Sequence, residues 1–258
     1  MESLRELHLF AGAGGGILGG VLLGHTCVCA VEIDARCRRV LLQRQRDGIL
    51  PTFPVWDDIR TFDGTPWRGR VDVVCGGFPC QDISAAGRGA GIDGERSGLW
   101  REMGRIIGEV RPRIVFVENS PLLVQRGLGL VLADLAKMGF DARWGVVSAS
   151  DAGFPHGRSR LWIYAHTNEN DGLKRERPDS RGKRLNGRKK PEKNSKDWRD
   201  WLGSLAAVDA ISRVDSYAEG RRVFYGMADG LDRLAAVGNG QVPAVAAMAW
   251  RILERGDA

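Results

Sequence analysis

The chain has 258 residues and 43% hydrophobic content, so it is long enough to bury a full core, either as one large domain or with a small appendage. It contains no run of 18 apolar residues and does not start like a signal peptide, which predicts a soluble, cytoplasmic protein. The five cysteines are few for this length and odd in number, which argues against a disulfide framework. The net charge of +6 is unevenly distributed along the chain.

Strand-like and helix-like stretches alternate along the first part of the chain. We expect strands at residues 7–10 and 26–33, a glycine-rich helix start at 14–24, and a helix at 36–46. Residues 71–75 form an apolar run typical of a short buried strand, and Gly-Gly-Phe-Pro ends it sharply. Cys80 follows this turn directly. It should therefore lie at the carboxyl end of a strand, where open α/β sheets bind ligands.

The alternation continues in the second part. We expect helices at residues 98–110 and 122–138, strands at 114–117, 145–148 and 161–164, and an Ala-rich helix at 244–253 begun by Pro243. This order indicates an α/β fold with a mostly parallel sheet and helices on both of its faces.

A glycine-rich turn follows the first predicted strand, in the stretch Phe10-Ala11-Gly12-Ala13-Gly14-Gly15-Gly16. Glycines let the backbone approach a ligand closely and leave free amides at a helix start. About twenty residues later, Glu32 ends the second predicted strand, where an acid can accept hydrogen bonds from ribose hydroxyls. The pair indicates an adenosine cofactor, although a tight structural turn would also account for the glycines.

Basic residues are concentrated between Thr167 and Arg199, where twelve Lys or Arg stand against six Asp or Glu. The same segment is nearly free of aliphatic residues, so it cannot form a core of its own, and a polyanion is its natural partner. A solvated basic linker is the alternative. Cys27-x-Cys29 has no second Cys or His pair at zinc spacing, so no metal site is predicted.

Taken in order, these motifs resemble those of the DNA (cytosine-5) methyltransferases. The resemblance runs over most of the chain and implies a compact bacterial or phage-type member with the Rossmann-like fold of S-adenosylmethionine-dependent methyltransferases. The matching pieces are Phe10-Ala11-Gly12-Ala13-Gly14-Gly15, Glu32, Asp58-Ile59, Gly77-Phe78-Pro79-Cys80-Gln81, Glu118-Asn119, Gly153-Phe154-Pro155-His156-Gly157-Arg158-Ser159-Arg160 and Gly238-Asn239-Gly240-Gln241-Val242-Pro243.

The resemblance assigns catalysis to Cys80, Glu118, Arg158 and Arg160. Carbon 5 of cytosine is a weak nucleophile, so a thiolate at Cys80 must first add to carbon 6 of a base flipped out of the duplex. Glu118, its pKa raised by burial, would donate to N3 of the ring. The two arginines would hold the base carbonyl and a nearby phosphate and would favour the thiolate.

The resemblance also assigns residues to S-adenosylmethionine. Phe10 would pack on the adenine, Asp58 would accept from its exocyclic amine, and Glu32 would hold the ribose. The full implied set is Phe10, Gly12, Gly14, Glu32, Asp58, Ile59, Pro79, Leu99 and Asn239.

Residues 81–98 follow the nucleophile and are rich in glycine, and in this family the region is a mobile loop that closes over DNA. A glycine-rich surface loop without a function is the alternative. We expect DNA contacts from two groups of residues, namely Gln81, Ser84, Arg88 and Arg96 of this loop, and Lys183, Arg184, Arg188, Lys189 and Lys190 of the basic segment.

Because Asn239 must return to the first strand to reach the cofactor, residues 1–166 and 230–258 should form one discontinuous catalytic domain. Residues 167–229 should form a small basic target-recognition region, partly disordered, which reads few bases. Some positions depart from the family pattern. His8 stands where an acid is common, Ser120 where valine is usual, and His156 where glutamine is usual.

Two other functions stay open. One is a transfer RNA cytosine-5 methyltransferase of the same family, and the other is a catalytically silent DNA-binding relative. A nicotinamide dehydrogenase, suggested by the glycine turn alone, explains neither Cys80 nor the basic segment. The expected partners are double-stranded DNA and a separately acting restriction endonuclease, with the chain a monomer that does not bind membranes.

Overall fold

A single seven-stranded sheet organises the chain in this computed structural model, which describes residues 3–79, 98–154, 157–167 and 240–256. The strands are β1 (Arg5–Leu9), β2 (Thr26–Val31), β3 (Val55–Trp56), β4 (Val73–Gly76), β5 (Ile114–Asn119), β6 (Phe140–Ser148) and β7 (Ser159–Thr167). The helices are α1 (Gly15–Leu22), α2 (Ala35–Arg46), α3 (Gly98–Val110), α4 (Leu123–Arg126), α5 (Leu128–Lys137) and α6 (Pro243–Arg255), with a 3₁₀ turn at Thr65–Trp67.

The sheet has the order β3-β2-β1-β4-β5-β7-β6. The first five strands of that order are mutually parallel, and β7 runs antiparallel between β5 and β6. The prediction of a mostly parallel α/β sheet is thus confirmed. Strand order reverses at β1, and ligands of open α/β sheets bind outside the carboxyl ends of the strands at such a reversal.

Both faces of the sheet are covered by helices, and alternate residues of the central strands point to opposite sides. In β4, Val74 packs in the cluster that contains the apolar face of α3, whereas Val73 and Cys75 pack with the buried face of α6. Phe116 of β5 lies on the α6 side, where its ring stacks on that of Trp162 at 5.2 Å. A period of two along each strand produces these two separate cores.

Helix α6 also packs on α1 at close range. A Cβ added to Gly19 would lie 2.8 Å from the Cβ of Ala246, so the two helices meet through a glycine. Next to this contact the buried carboxylate of Glu6 accepts hydrogen bonds from His8 Nε2 at 2.7 Å and His25 Nδ1 at 2.8 Å. The His25 ring in turn meets Trp250 of α6 edge to face.

The elements differ from the sequence predictions in a few places. The single helix predicted at 122–138 is wrong, because the chain forms α4 and α5 with a break at Gly127. Gly127 leaves the helical conformation and caps both helices, since its amide donates to Leu123 and its carbonyl accepts from Leu130. Strands β6 and β7 are longer than expected, and β3 was missed because two residues carry no alternating pattern. Helix α3 has the predicted bounds.

None of the helices within the described stretches is long and apolar enough to span a membrane. The division into a discontinuous catalytic domain and a recognition region stays a prediction, since residues 168–239 lie outside the described part of the chain.

Candidate active site

The strand register brings the site together. Leu9 is paired with Val31 on one side and with Gly76 on the other, and Gly76 is paired with Val117. The residues that follow these paired positions therefore lie in one row along the carboxyl edge of the sheet. That row contains Phe10, Glu32, Gly77 and Glu118, so the cofactor motif and the catalytic motif are neighbours.

Left-handed backbone conformations shape the turn after β1. Gly12 and Gly14 have φ of 54° and 91°, which glycine adopts freely. Phe10 has φ of 54°, a conformation that costs a bulky residue about 1–3 kcal/mol and that is concentrated at ligand sites. Among the described residues, nothing beyond the chain neighbours lies within 4 Å of a Cβ added to Gly12. These features fit a ligand that approaches the backbone closely.

Glu32 is buried and links this turn to the start of α2. Its Oε2 accepts from the amide of Gly12 at 2.6 Å, and its Oε1 accepts from the amide of Asp34 at 2.8 Å. Two amide hydrogen bonds leave further lone pairs on the carboxylate, so the group still has capacity for ribose hydroxyls. The role of Glu32 as a ribose acceptor stays a prediction, and this geometry is compatible with it.

Asp58 and Ile59 follow β3. The carboxylate of Asp58 is bound by the guanidinium of Arg60, and this hydrogen bonding lowers the pKa of Asp58. An adenine amine would have to share that carboxylate with Arg60. Ile59 is buried, and its carbonyl accepts from Arg105 of α3. Ile59 thus holds the loop rather than presenting an open surface.

Two exposed apolar side chains lie beside these residues, and the sequence did not single them out. Ile33 directly follows Glu32 and is 63% exposed, and Trp56 at the end of β3 is 46% exposed. Large apolar groups exposed at the carboxyl edge of a sheet are candidates for packing on a purine ring. They carry little signal in the sequence, since Ile33 lies two residues after β2 and Trp56 ends the two-residue strand β3.

Glu118 lies at the centre of the catalytic part. It is 8% exposed, and its Oε1 lies 2.7 Å from Nε of Arg160 on β7. Burial raises the pKa of Glu118, and this effect outweighs the opposing charges of Arg160 and Arg158 and a hydrogen bond from the Gln241 side chain. A carboxyl group that keeps its proton more readily is suited to donate it to a ring nitrogen.

Arg158 is anchored to the last described segment. Its Nη2 donates to the carbonyl of Gly240 at 2.8 Å, and burial together with the charge of Arg160 lowers its pKa. The structure therefore brings Glu118, Arg158 and Arg160 together as the motifs predicted.

The turn that leads to residue 80 is fixed against Glu118. Asn119 Nδ2 donates to the carbonyl of Phe78 at 3.0 Å, and a Cβ on Gly77 would lie 2.8 Å from Oε2 of Glu118. Only glycine allows this approach. Pro79 is exposed at the end of the segment, and Leu99, at the start of α3, is partly buried against the core.

Several predicted site residues lie outside the described part of the chain. They are Cys80, Asn239, His156 and the DNA-contact candidates Gln81, Ser84, Arg88, Arg96, Lys183, Arg184, Arg188, Lys189 and Lys190. Their roles stay predictions.

Glu6, His8 and Cys75 place potential metal-ligand atoms within 4.8 Å of one another. The Glu6 carboxylate, however, already accepts hydrogen bonds from both histidines, and the burial of Cys75 raises the pKa of its thiol. Hydrogen bonding within the cluster therefore satisfies these groups without a metal ion.

Comparison with known proteins gives consistent matches. The profile of the family described as C-5 cytosine-specific DNA methylase matches residues 4–220. Type II methyltransferase M.Eco47II of Escherichia coli is 35% identical over 191 residues, which is 69% of this chain and 43% of the relative. Type II methyltransferase M.DsaV of Dactylococcopsis salina is 31% identical over 174 residues, or 66% and 48% of the two chains. The chain thus spans about half the length of these curated relatives.

Solved structures show the same fold. A protein described as a DNA modification methyltransferase encoded within an E. coli prophage matches with a TM-score of 0.52 and 25% identity, over 64% of this chain and 47% of the other. DNMT2 of Spodoptera frugiperda matches with a TM-score of 0.54 over 69% and 54% of the two chains, and at 19% identity it supports the fold alone.

Proposed function

This chain belongs to the C-5 cytosine-specific DNA methylase family, and from that we propose that it transfers a methyl group to carbon 5 of cytosine in double-stranded DNA. S-adenosylmethionine is the methyl donor. The strongest structural support is the row of residues at the carboxyl edge of the sheet, which contains Glu32 after β2 and the buried, arginine-paired Glu118 on β5, with Phe10 and Gly77 between them.

Cys80 is the proposed nucleophile. Its thiolate forms a bond to carbon 6 of the base while Glu118 gives a proton or strong hydrogen bond to N3, and the ring becomes an enamine. Carbon 5 then takes the methyl group that the donor supplies. Loss of the carbon 5 proton and departure of the thiolate from carbon 6 restore the aromatic ring and free Cys80.

The surrounding residues have supporting roles in this proposal. Arg160 holds the Glu118 carboxyl, and Arg158 adds positive charge that favours the thiolate. Glu32, Phe10 and the glycine turn bind the adenosine part of the donor. Because both faces of the ring must be reached, the target base leaves the duplex before reaction.

Duplex DNA is proposed as the substrate rather than transfer RNA. The two Type II methyltransferase relatives at 31% and 35% identity favour DNA, whereas the likeness to DNMT2 concerns the fold alone. A phage or restriction–modification setting, a separate endonuclease partner, a monomeric state and a cytoplasmic location are part of the same proposal.

The test uses duplex DNA that contains 5-fluorocytosine, together with S-adenosylmethionine. Fluorine cannot leave carbon 5 as a proton does, so the intermediate accumulates as a protein–DNA adduct that survives denaturation. We expect an adduct with the natural chain, none with Cys80→Ala, and an undiminished one with Cys37→Ala, which removes a half-buried thiol on α2.

Bisulfite sequencing of plasmid DNA from cells that express the chain would then identify the modified sequence. Methyl transfer to transfer RNA without transfer to DNA would establish the alternative substrate. Absence of both adduct and methyl transfer would overturn the proposal.

A further inference from the structure

Gln241 lies within the last matching motif, but the resemblance gives it no role. It lies two residues before α6, and its side chain reaches Glu118, more than 120 residues earlier in the sequence. The amide group donates a hydrogen bond to the Glu118 carboxylate, and its Nε2 lies 3.4 Å from the point that a Cβ on Gly77 would occupy. Gln241 is therefore part of the wall around the catalytic carboxyl group.

Gln241 fits here because two glycines of α1 have no side chains to occupy the same space. A Cβ on Gly15 would overlap the backbone carbonyl of Gln241, and a Cβ on Gly16 would overlap its Oε1. The two glycines thus form a recess into which Gln241 fits. The preceding carbonyl, that of Gly240, is fixed by Arg158 at 2.8 Å, so Gln241 is held from both sides.

A neutral amide has a specific advantage here. Glu118 already faces two arginines, and a third cation would favour the ionised carboxylate over the acid that must donate to N3. An amide N–H can bond to a carboxyl oxygen in either protonation state. Arg160 and Gln241 both bind the carboxyl group, so together they restrict its orientation.

We propose that Gln241 is a positioning residue of the methyl-transfer site, whose amide orients the Glu118 carboxyl group toward the flipped cytosine. This inference rests on the proposed function. It also links the segment beside Asn239 to the proton donor, because Gly240 and Gln241 contact Arg158 and Glu118 directly.

The test compares Gln241→Met with Gln43→Met. Methionine keeps the length of the side chain and removes its N–H, and Gln43 is an exposed residue of α2 that serves as the matched control. Single-turnover methylation of duplex DNA would be measured over a range of pH, with binding of S-adenosylmethionine and of DNA measured separately. We expect Gln241→Met to slow methyl transfer by about 10- to 100-fold with binding constants nearly unchanged.

The pH profile separates positioning from a purely structural role. The Gln241 hydrogen bond lowers the pKa of Glu118, so its loss should move the alkaline fall of the rate to higher pH. Gln241→Glu should be slower still at high pH, where two carboxylates repel, and should recover part of its rate at low pH.

Two results would overturn the inference. One is a Gln241→Met rate and pH profile equal to those of the Gln43→Met control. The other is a parallel loss of folding, donor binding and rate, which would indicate a structural role. If the natural chain itself forms no adduct with 5-fluorocytosine DNA, the proposed function fails, so the two failures are distinguishable.

Discussion

Glu118 has an environment that differs from that of an ordinary surface carboxylate, because it is buried beside two arginines. Burial raises its pKa, so the acid form persists to higher pH than in water, although two arginines are nearby. Activity that needs this proton is present below the raised pKa and is lost as pH rises through it. The same burial would be unfavourable for a residue that only formed an ion pair.

Glu118→Gln tests this assignment. The amide keeps the shape of the side chain but has no acidic proton to give, so we expect the rate of methyl transfer to fall by about 10²- to 10⁴-fold. The alkaline fall of the rate that Glu118 causes should also disappear. Single-turnover methylation measures both effects, and Glu102→Gln on α3, a partly exposed residue that pairs with Arg105, is the control. A variant with natural turnover would remove Glu118 from the mechanism.

At the residue scale the sequence indicated candidate catalytic residues but not the contacts between them. Glu118 and Arg160 were found through motifs, and their 2.7 Å ion pair follows from the pairing of β5 with β7. Gln241 was missed as a partner of Glu118 because the two are far apart in the sequence and no local pattern links them. Phe10 was assigned to the cofactor, but its positive φ could not be predicted, since phenylalanine rarely adopts that conformation.

At the scale of elements, the contact between α1 and α6 determines where Gln241 lies. Gly19 allows the helices to meet, with Ala246 Cβ and the carbonyl of Pro243 close to its Cα hydrogens. Any side chain at this position must push the start of α6 away from α1. The displacement would reach Gln241, which lies two residues before Pro243.

We therefore expect Gly19→Ala to lower the free energy of unfolding by about 1–3 kcal/mol through overpacking. Gly104→Ala is the matched control, because it makes the same change inside α3 where an added Cβ meets nothing within 4 Å. That control should raise the free energy of unfolding by up to about 1 kcal/mol from helix propensity. Urea unfolding measures both, and equal effects would contradict the close contact.

The presence of most helices and strands was predictable from the sequence. The break between α4 and α5 and the pairing of the strands were not. The spacing of apolar residues in α3 predicted its bounds correctly, because the apolar residues along one face of the helix pack in the core. The break at Gly127 was missed because the apolar pattern continues through it into α5. A two-residue strand such as β3 has too few residues for any period to be seen.

At the scale of the whole molecule, a buried charged cluster connects the first strand to the last helix. Burial alone would raise the pKa of Glu6, but His8 and His25 lower it by charge and hydrogen bonding. A carboxylate whose folded pKa is below its unfolded value of about 4.3 contributes stability above that value and loses it as pH falls.

Glu6→Gln should therefore lower the free energy of unfolding by about 1–3 kcal/mol near neutral pH, because an NH₂ group replaces an acceptor in a buried site. The difference between natural chain and variant should shrink as pH falls from about 7 to below about 4. Urea unfolding at several pH values measures this, with Glu102→Gln expected to change stability by less than about 1 kcal/mol. A difference that grows on acidification would contradict the sign of the shift.

The basic segment makes a separate prediction about DNA binding. Changing Arg188, Lys189 and Lys190 to glutamine should weaken DNA affinity and reduce its dependence on salt by about 0.9 for each phosphate that these side chains neutralise. Arg39, Arg46 and Lys137 are exposed elsewhere, and changing them together gives a control of equal charge. Fluorescence anisotropy at several salt concentrations measures both. Equal slopes for the two triple variants would mean that the segment is a solvated linker.

The placement of α6 also has a consequence for how the protein is made. Its apolar side covers Cys75, Phe116 and Trp162, yet Pro243 is synthesised 76 residues after Thr167, the last residue of the sheet. At a synthesis rate of about 5–20 residues per second, that face of the sheet stays uncovered for roughly 4–15 s before α6 is made. During this interval a finished sheet is exposed on one side, so newly made chains should depend on chaperones most strongly just before α6 is synthesised.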